Sequence, residues 1–192
     1  MTDQDVLLSQ VAARAMQESG GAICCATGEQ IIEAETLLGF SVPPLLSRLY
    51  QEVGNGGFGP DYQLLQLIAP EGRTAVSTYH AERTPRRWPE GVLPILDWGC
   101  AMYAAVDCTD PQAPVLLFEP NAVDDDWSNA WFEDAVSLSD WLHTWLSGTG
   151  WYTEEIMMSD DFSEPRPWPQ VKQRLSREQA PDLDTHRERP SA

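Results

Sequence analysis

Apolar residues recur at helical spacing through the first third of the chain. In the first segment they occupy positions i, i+3, i+4, i+7 and i+8, namely Leu8, Val11, Ala12, Ala15 and Met16. Thr2 and Thr27 each stand three residues before an acid or amide, which is the spacing of a capping box at a helix start. A third apolar stripe follows Pro43. Proline is compatible with the first turn of a helix, because its missing N–H gives up no helical hydrogen bond there. This pattern predicts three helices before any strand.

Short apolar runs between turn residues replace the helical period further along. Four runs predict strands, at residues 62–68, 92–96, 101–107 and 114–119. Their connections are too short for parallel crossovers, so the strands should be antiparallel neighbours. Ser137 then caps a last helix that ends at Gly148, whereas residues 72–85 are ambiguous and residues 124–134 have the composition of an acidic loop. The predicted fold class is α+β, with helices packed against an antiparallel sheet.

The length of 192 residues suits one domain with extensions. The pattern divides the chain into an N-terminal helix in residues 1–26, a central domain in residues 27–148 and an acidic, proline-rich C-terminal extension in residues 149–192. We find no internal repeat.

Charge narrows the possible partners. The chain carries 30 acidic and 12 basic residues, a formal net charge of -18. Nucleic acid and anionic lipid are disfavoured, because binding to them depends on Lys and Arg. The sequence also shows no long apolar run and no secretory signal at its start. We therefore expect a cytoplasmic protein whose partner is a basic protein, with no nucleic acid and no membrane involved.

Acidic residues and tryptophans are concentrated in one part of the chain. Between Arg87 and Arg166 there is no Lys or Arg, and seven of the eight tryptophans lie there with 16 acids. Acidic sequence this rich in tryptophan can bury large side chains and fold, unlike a solvated acidic tail. It predicts a folded, negatively charged face. The predicted partner surface is centred on Asp124, Asp125, Asp126, Trp127, Trp131, Glu133 and Asp134.

Two interpretations of Trp127 and Trp131 remain open. Tryptophan often dominates the energy of an interface, so both could anchor a partner while neighbouring carboxylates steer it. Both could equally be core residues that clamp the segment onto the sheet.

Catalysis and metal binding are weighed against this interpretation. Three consecutive carboxylates can bind Ca²⁺ or Mg²⁺, but the spacing of an EF-hand loop is absent. The histidines, His80, His143 and His186, belong to no catalytic motif, and the glycines from Gly54 to Gly59 lack the Lys-Ser/Thr of a phosphate loop. We predict no enzyme activity, no cofactor and no metal.

The cysteines do not form a redox or zinc motif. Their positions, Cys24, Cys25, Cys100 and Cys108, include no pair separated by two residues. We expect reduced thiols that are mostly packed.

One constellation resembles a known family. Leu38-Gly39, the helix led by Pro43-Pro44, and the turn Gly54-Asn55-Gly56-Gly57 resemble the signature of the SMI1/KNR4 family, also called the SUKH superfamily. The segment Leu93-Pro94-Ile95, two paired strands and a closing helix follow in the order of that family. The resemblance covers roughly residues 27–147, and the sequence around Trp98 departs from the glycine- and aspartate-rich run of many members.

The resemblance implies an α+β domain used for protein binding. Many bacterial members are immunity proteins that hold and silence a toxin, frequently a nuclease, whereas others are regulatory interaction modules. The sequence leaves open an immunity protein and a housekeeping adaptor. The motif residues Leu38, Gly39, Pro43, Gly54, Asn55, Gly56 and Gly57 are predicted to be structural, with positive φ at the turn glycines.

Overall fold

The computed structural model describes residues 2–20, 23–84, 86–121, 123–153, 158 and 165–177. In chain order, the first helices are α1 (Asp3–Ser19), α2 (Gly28–Leu38), α3 (Pro44–Arg48), which continues into a π-helical turn (Leu49–Val53), and α4 (Ala75–Glu82). Then come β1 (Val92–Gly99), β2 (Met102–Asp107), β3 (Val115–Phe118), a 3₁₀ turn (Trp127–Ala130), β4 (Trp131–Ala135), α5 (Leu138–Ser147), β5 (Arg166–Pro167) and α6 (Val171–Arg177).

Side-chain caps fix the predicted helix starts. Thr2 and Thr27 both complete capping boxes, and the Ser137 hydroxyl accepts a hydrogen bond from the Asp140 amide at 3.1 Å. Helix α2 ends at Gly39, whose φ of 78° is the left-handed conformation of a glycine cap. These local signals were sufficient to place α1, α2 and α5.

The five strands form one antiparallel meander in the order β1-β2-β3-β4-β5. Helix α4 packs against β1 and α5 packs against β4, while α1 packs on α5. Strand β3 is buried along its whole length, so both faces of the sheet are covered at its centre. The predicted α+β class with an antiparallel sheet is confirmed.

Several predicted elements are wrong. Residues 62–68 form no regular strand and make only two isolated bridges, Leu64 with Leu96 and Gln66 with Thr74. The last four residues of the predicted acidic loop belong to strand β4, because pairing with β3 and β5 satisfies their backbone groups. The ambiguous residues 72–85 contain α4, which Thr74 caps by accepting from the Ser77 amide.

Residues 165–177 belong to the folded body. Strand β5 extends the sheet beside β4, and Trp168, Val171 and Leu175 are buried in the core. Arg174 of α6 donates to the carboxylate of Asp107 at 2.5 Å and to the carbonyl of Glu90 at 2.6 Å. Part of the predicted extension therefore completes the sheet.

The four cysteines are free, but the prediction that they are mostly packed is wrong. Cys24, Cys25 and Cys100 are exposed, and only Cys108 is partly buried. Burial raises the pKa of the Cys108 thiol above its ordinary value, and the neighbouring Asp107 raises it further.

Candidate partner-binding site

The turn after the π-helical segment is held by the side chain of Asn55. Its amide nitrogen donates to the carbonyl of Ile68 and its oxygen accepts from the amide of Leu67, both at 2.9 Å. The backbone amide of Asn55 donates to the carbonyl of Cys24 at 2.7 Å. One side chain thus replaces the strand partner that residues 67 and 68 would otherwise need.

Two glycines flanking Asn55 are required for different reasons. Gly56 has a φ of 79°, and a Cβ there would lie 2.6 to 2.7 Å from backbone atoms of Leu65 and Gln66. Gly54 has an extended φ of 173°, so the prediction of positive φ is wrong at this position. A Cβ on Gly54 would instead meet the side chain of Ile23 at 2.5 Å. The turn is a site of close approach between chain segments.

The predicted partner surface is divided between solvent and interior. Asp124, Asp125 and Asp126 are exposed. The Asp126 carboxylate caps the 3₁₀ turn by accepting from the amide of Ser128 at 3.0 Å. The side chain of Ser128, and then this amide, lower the Asp126 pKa. Asp124 and Asp125 make no hydrogen bond or ion pair with other described residues. These two carboxylates are available to a partner.

Trp131 is a core residue. Its side chain is fully buried. The centroid of its ring lies 4.7 Å from the ring centroid of Trp88 and 4.8 Å from that of Phe118. The indole N–H donates to the carbonyl of Arg87 at 3.0 Å. The sequence left open whether Trp131 anchors a partner or belongs to the core. It belongs to the core, because no part of its side chain reaches solvent.

Trp127 lies between the core and the surface. It is partly buried, and the guanidinium of Arg87 stacks over its ring at 5.1 Å from the centroid. The ring also lines a surface cavity together with Asp125, Arg86 and Lys172. The charge around Trp127 is therefore mixed rather than wholly acidic.

The carboxylates of strand β4 differ in their surroundings. Glu133 is half-buried and pairs across the strands with Arg166 in register. Asp134 accepts a hydrogen bond from the Trp141 indole at 2.9 Å. Desolvation raises the Asp134 pKa to about 6, although the indoles of Trp151 and Trp141 lower it. Asp134 serves to hold α5 against the sheet.

We expect Asp134→Asn to stabilise the protein at neutral pH. The raised pKa means that the folded state binds more protons than the unfolded state between about pH 4 and 6, so stability falls as pH rises through that range. The variant lacks this cost, and its gain should be about 1 to 3 kcal/mol at pH 7.5 and vanish near pH 4. Urea unfolding at both values measures this. Asp124→Asn is the exposed control, and an equal effect of Asp134→Asn at both pH values would contradict the assignment.

The described residues show no arrangement typical of a metal site. No three His, Cys, Asp or Glu side chains within the described ranges come together as ligands would. His80 and His143 are exposed, and His186 lies outside the described residues. In the part of the chain that the structure describes, no helix has the length and apolar character needed to span a bilayer.

A family model for SMI1 / KNR4 family (SUKH-1) matches residues 25–144, more than half of the chain. The chain belongs to the SMI1/KNR4 family. The match contains the Asn55 turn and strands β1 to β4, so the family region includes most of the sheet. Membership in the SMI1/KNR4 family indicates a protein-binding role. No curated protein matches the sequence.

A groove between α2 and α4 was not predicted from the sequence. It is lined on α2 by Glu33 and Leu37, and on its floor by Ile68, Pro70 and Val76. A signal was present in the pattern, because Leu37 stands one position before Leu38, the last residue of the apolar stripe of α2, and so places an apolar side chain on a second face. The side chain of Leu37 is 50% exposed.

Proposed function

We propose that this SMI1/KNR4 protein is an immunity protein that binds and neutralises a basic toxin, such as a nuclease. The observation that carries the proposal is the net charge of -18 combined with the exposed carboxylates of Asp124 and Asp125, which pair with no other residue in the described part of the chain. A nuclease must present basic groups where it grips phosphate. An acidic surface complements that patch and accelerates encounter with it.

The burial of the predicted residues limits the contact set. Asp124, Asp125 and Asp126 would meet the partner, with Trp127 contributing the exposed part of its ring. Trp131 and Asp134 would act indirectly, by holding the 3₁₀ turn and α5 in place. This division supports a small acidic contact on a rigid base.

Reversing the two free charges should slow association with the toxin. We expect Asp124→Lys with Asp125→Lys to lower the association rate about tenfold at low salt, because electrostatic steering is least screened there. The effect should be smaller at physiological salt, where the Debye length is about 8 Å. Asp126 is kept, since it caps the 3₁₀ turn. The measurement is the association rate as a function of ionic strength. The partner is the protein encoded by the gene next to the one that encodes this chain.

A matched control carries the same change of charge elsewhere. Asp3→Lys with Asp61→Lys alters two other exposed carboxylates. Equal rates for both double variants at every salt concentration would remove Asp124 and Asp125 from the contact.

A growth assay separates the two candidate functions. If the neighbouring gene product stops growth and co-expression of this chain restores it, the result favours an immunity protein. If the neighbouring gene product neither slows growth nor binds this chain, the result favours a housekeeping adaptor.

A further inference from the structure

The groove between α2 and α4 joins apolar side chains from separate parts of the chain. It has a volume of about 660 Å³. Among its lining residues Val76 is buried, Ile68 is half-buried and Leu37 is 50% exposed. Apolar side chains that are scattered singly on a surface are ordinary, but here they are contiguous and concave. Such a groove accepts apolar side chains from a partner.

Helix α2 presents a second face to this groove. Its inner face buries Ile31, Ala34 and Leu38 in the core. The groove residues Glu33 and Leu37 are one turn apart and lie on neighbouring positions of the helix surface. The apolar surface at Leu37 is therefore not needed to attach α2 to the domain.

The charges at the groove define its occupant. Glu33 lines it, and Glu71 is exposed directly after the lining residue Pro70. Among the described residues, no Lys or Arg lines the groove, and His80 is the one basic side chain that does. A segment with apolar residues on one face and Lys or Arg at its margins complements both properties.

We propose that the groove between α2 and α4 docks a basic amphipathic helix of the partner protein. The inference rests on the proposed function in one respect, which is that the partner is a basic protein. It adds a second contact, because the groove shares no lining residue with the cavity at Trp127. Apolar anchors would supply affinity at the groove, and the carboxylates at Asp124 and Asp125 would act on the association rate.

The test uses a synthetic helical peptide of leucine and lysine, with leucines at i, i+3, i+4 and i+7. Titration into the full-length chain is followed by backbone amide NMR shifts. We expect shifts confined to α2, α4 and residues 68–77. Leu37→Ser with Glu33→Lys should raise the peptide dissociation constant at least tenfold. Ile32→Ser is the matched control, because Ile32 is 64% exposed on the same helix but does not line the groove.

Nonspecific attraction of a cationic peptide to an acidic protein is excluded by a second peptide. A scrambled sequence of the same composition and charge should bind more weakly and shift amides over the whole acidic surface. If both peptides gave the same shifts, or if the groove variant bound as tightly as the Ile32 control, the proposal would be overturned. Binding of the toxin is a separate measurement, so a chain that docks the peptide but ignores the toxin refutes the proposed function alone.

Discussion

Gly56→Ala is expected to lower the free energy of unfolding by about 3 kcal/mol or more. Two costs combine at this position. The φ of 79° is unfavourable for a residue with a side chain, and the added Cβ would press on backbone atoms 2.6 to 2.7 Å away. Backbone held by the Asn55 side chain cannot move aside without breaking the hydrogen bonds to residues 67 and 68. Urea unfolding monitored by tryptophan fluorescence measures the change.

Gly57 provides the control, because it has the same conformation without the close approach. Its φ is 78°, and the nearest atom to an added Cβ would be 4.0 Å away. Gly57→Ala should therefore cost only about 1 kcal/mol. Equal losses in the two variants would show that backbone conformation, and not the contact with residues 65 and 66, makes Gly56 necessary.

Arg174→Met is expected to destabilise the protein by about 3 to 5 kcal/mol, because it leaves the Asp107 carboxylate buried without its cationic partner. The side chains of Arg174 and Asp107 are 11% and 1% exposed. The loss should include detachment of α6, since Arg174 also donates to the carbonyl of Glu90 and stacks on Trp168 at 5.5 Å. Equilibrium unfolding and limited proteolysis near residue 170 measure the two effects.

A double variant separates the charge from the packing. Asp107→Asn combined with Arg174→Met removes both charges but keeps an oxygen that can accept from Thr109, whose amide lies 3.0 Å from the carboxylate. We expect it to recover at least half of the stability lost in the single variant. Lys172→Met is the surface control on α6. A double variant as unstable as Arg174→Met alone would assign the loss to packing on Trp168.

Local signals in the sequence were sufficient for the ends of α1, α2 and α5 and for three strands. Thr2, Thr27 and Ser137 are followed by backbone amides that their hydroxyls cap, and this chemistry depends on neighbouring residues alone. Strand β4 could not be predicted in this way. Its sequence contains Glu133 and Asp134, which favour a loop, and its stability comes from pairing with β3 and with distant β5.

Residues 62–68 are the opposite case, in which a strand is predicted and none forms. Leu64 and Leu67 are buried as in a strand, but the Asn55 side chain takes the hydrogen bonds that a neighbouring strand would supply to residues 67 and 68. The same limit applies to the partner surface. Charge and tryptophan content predicted a partner surface at Asp124 and Asp125, which stays a prediction, whereas the burial of Trp131 depends on Trp88 and Phe118 from other parts of the chain. Tertiary packing decided which tryptophan is available.

The two borders of the sheet restrict how any partner can bind. Beside β1, the amide of Leu65 donates to the carbonyl of Ile95 at 2.8 Å and Leu64 forms a bridge with Leu96, so the middle of that edge is already paired. At the other border, β5 is two residues long, and Pro167 has no amide hydrogen to offer. Short or covered borders prevent the addition of a foreign strand and the aggregation that follows from it. We therefore expect a partner to contact side chains on the helices and loops, where substitutions can change the partner without disturbing the backbone pairing.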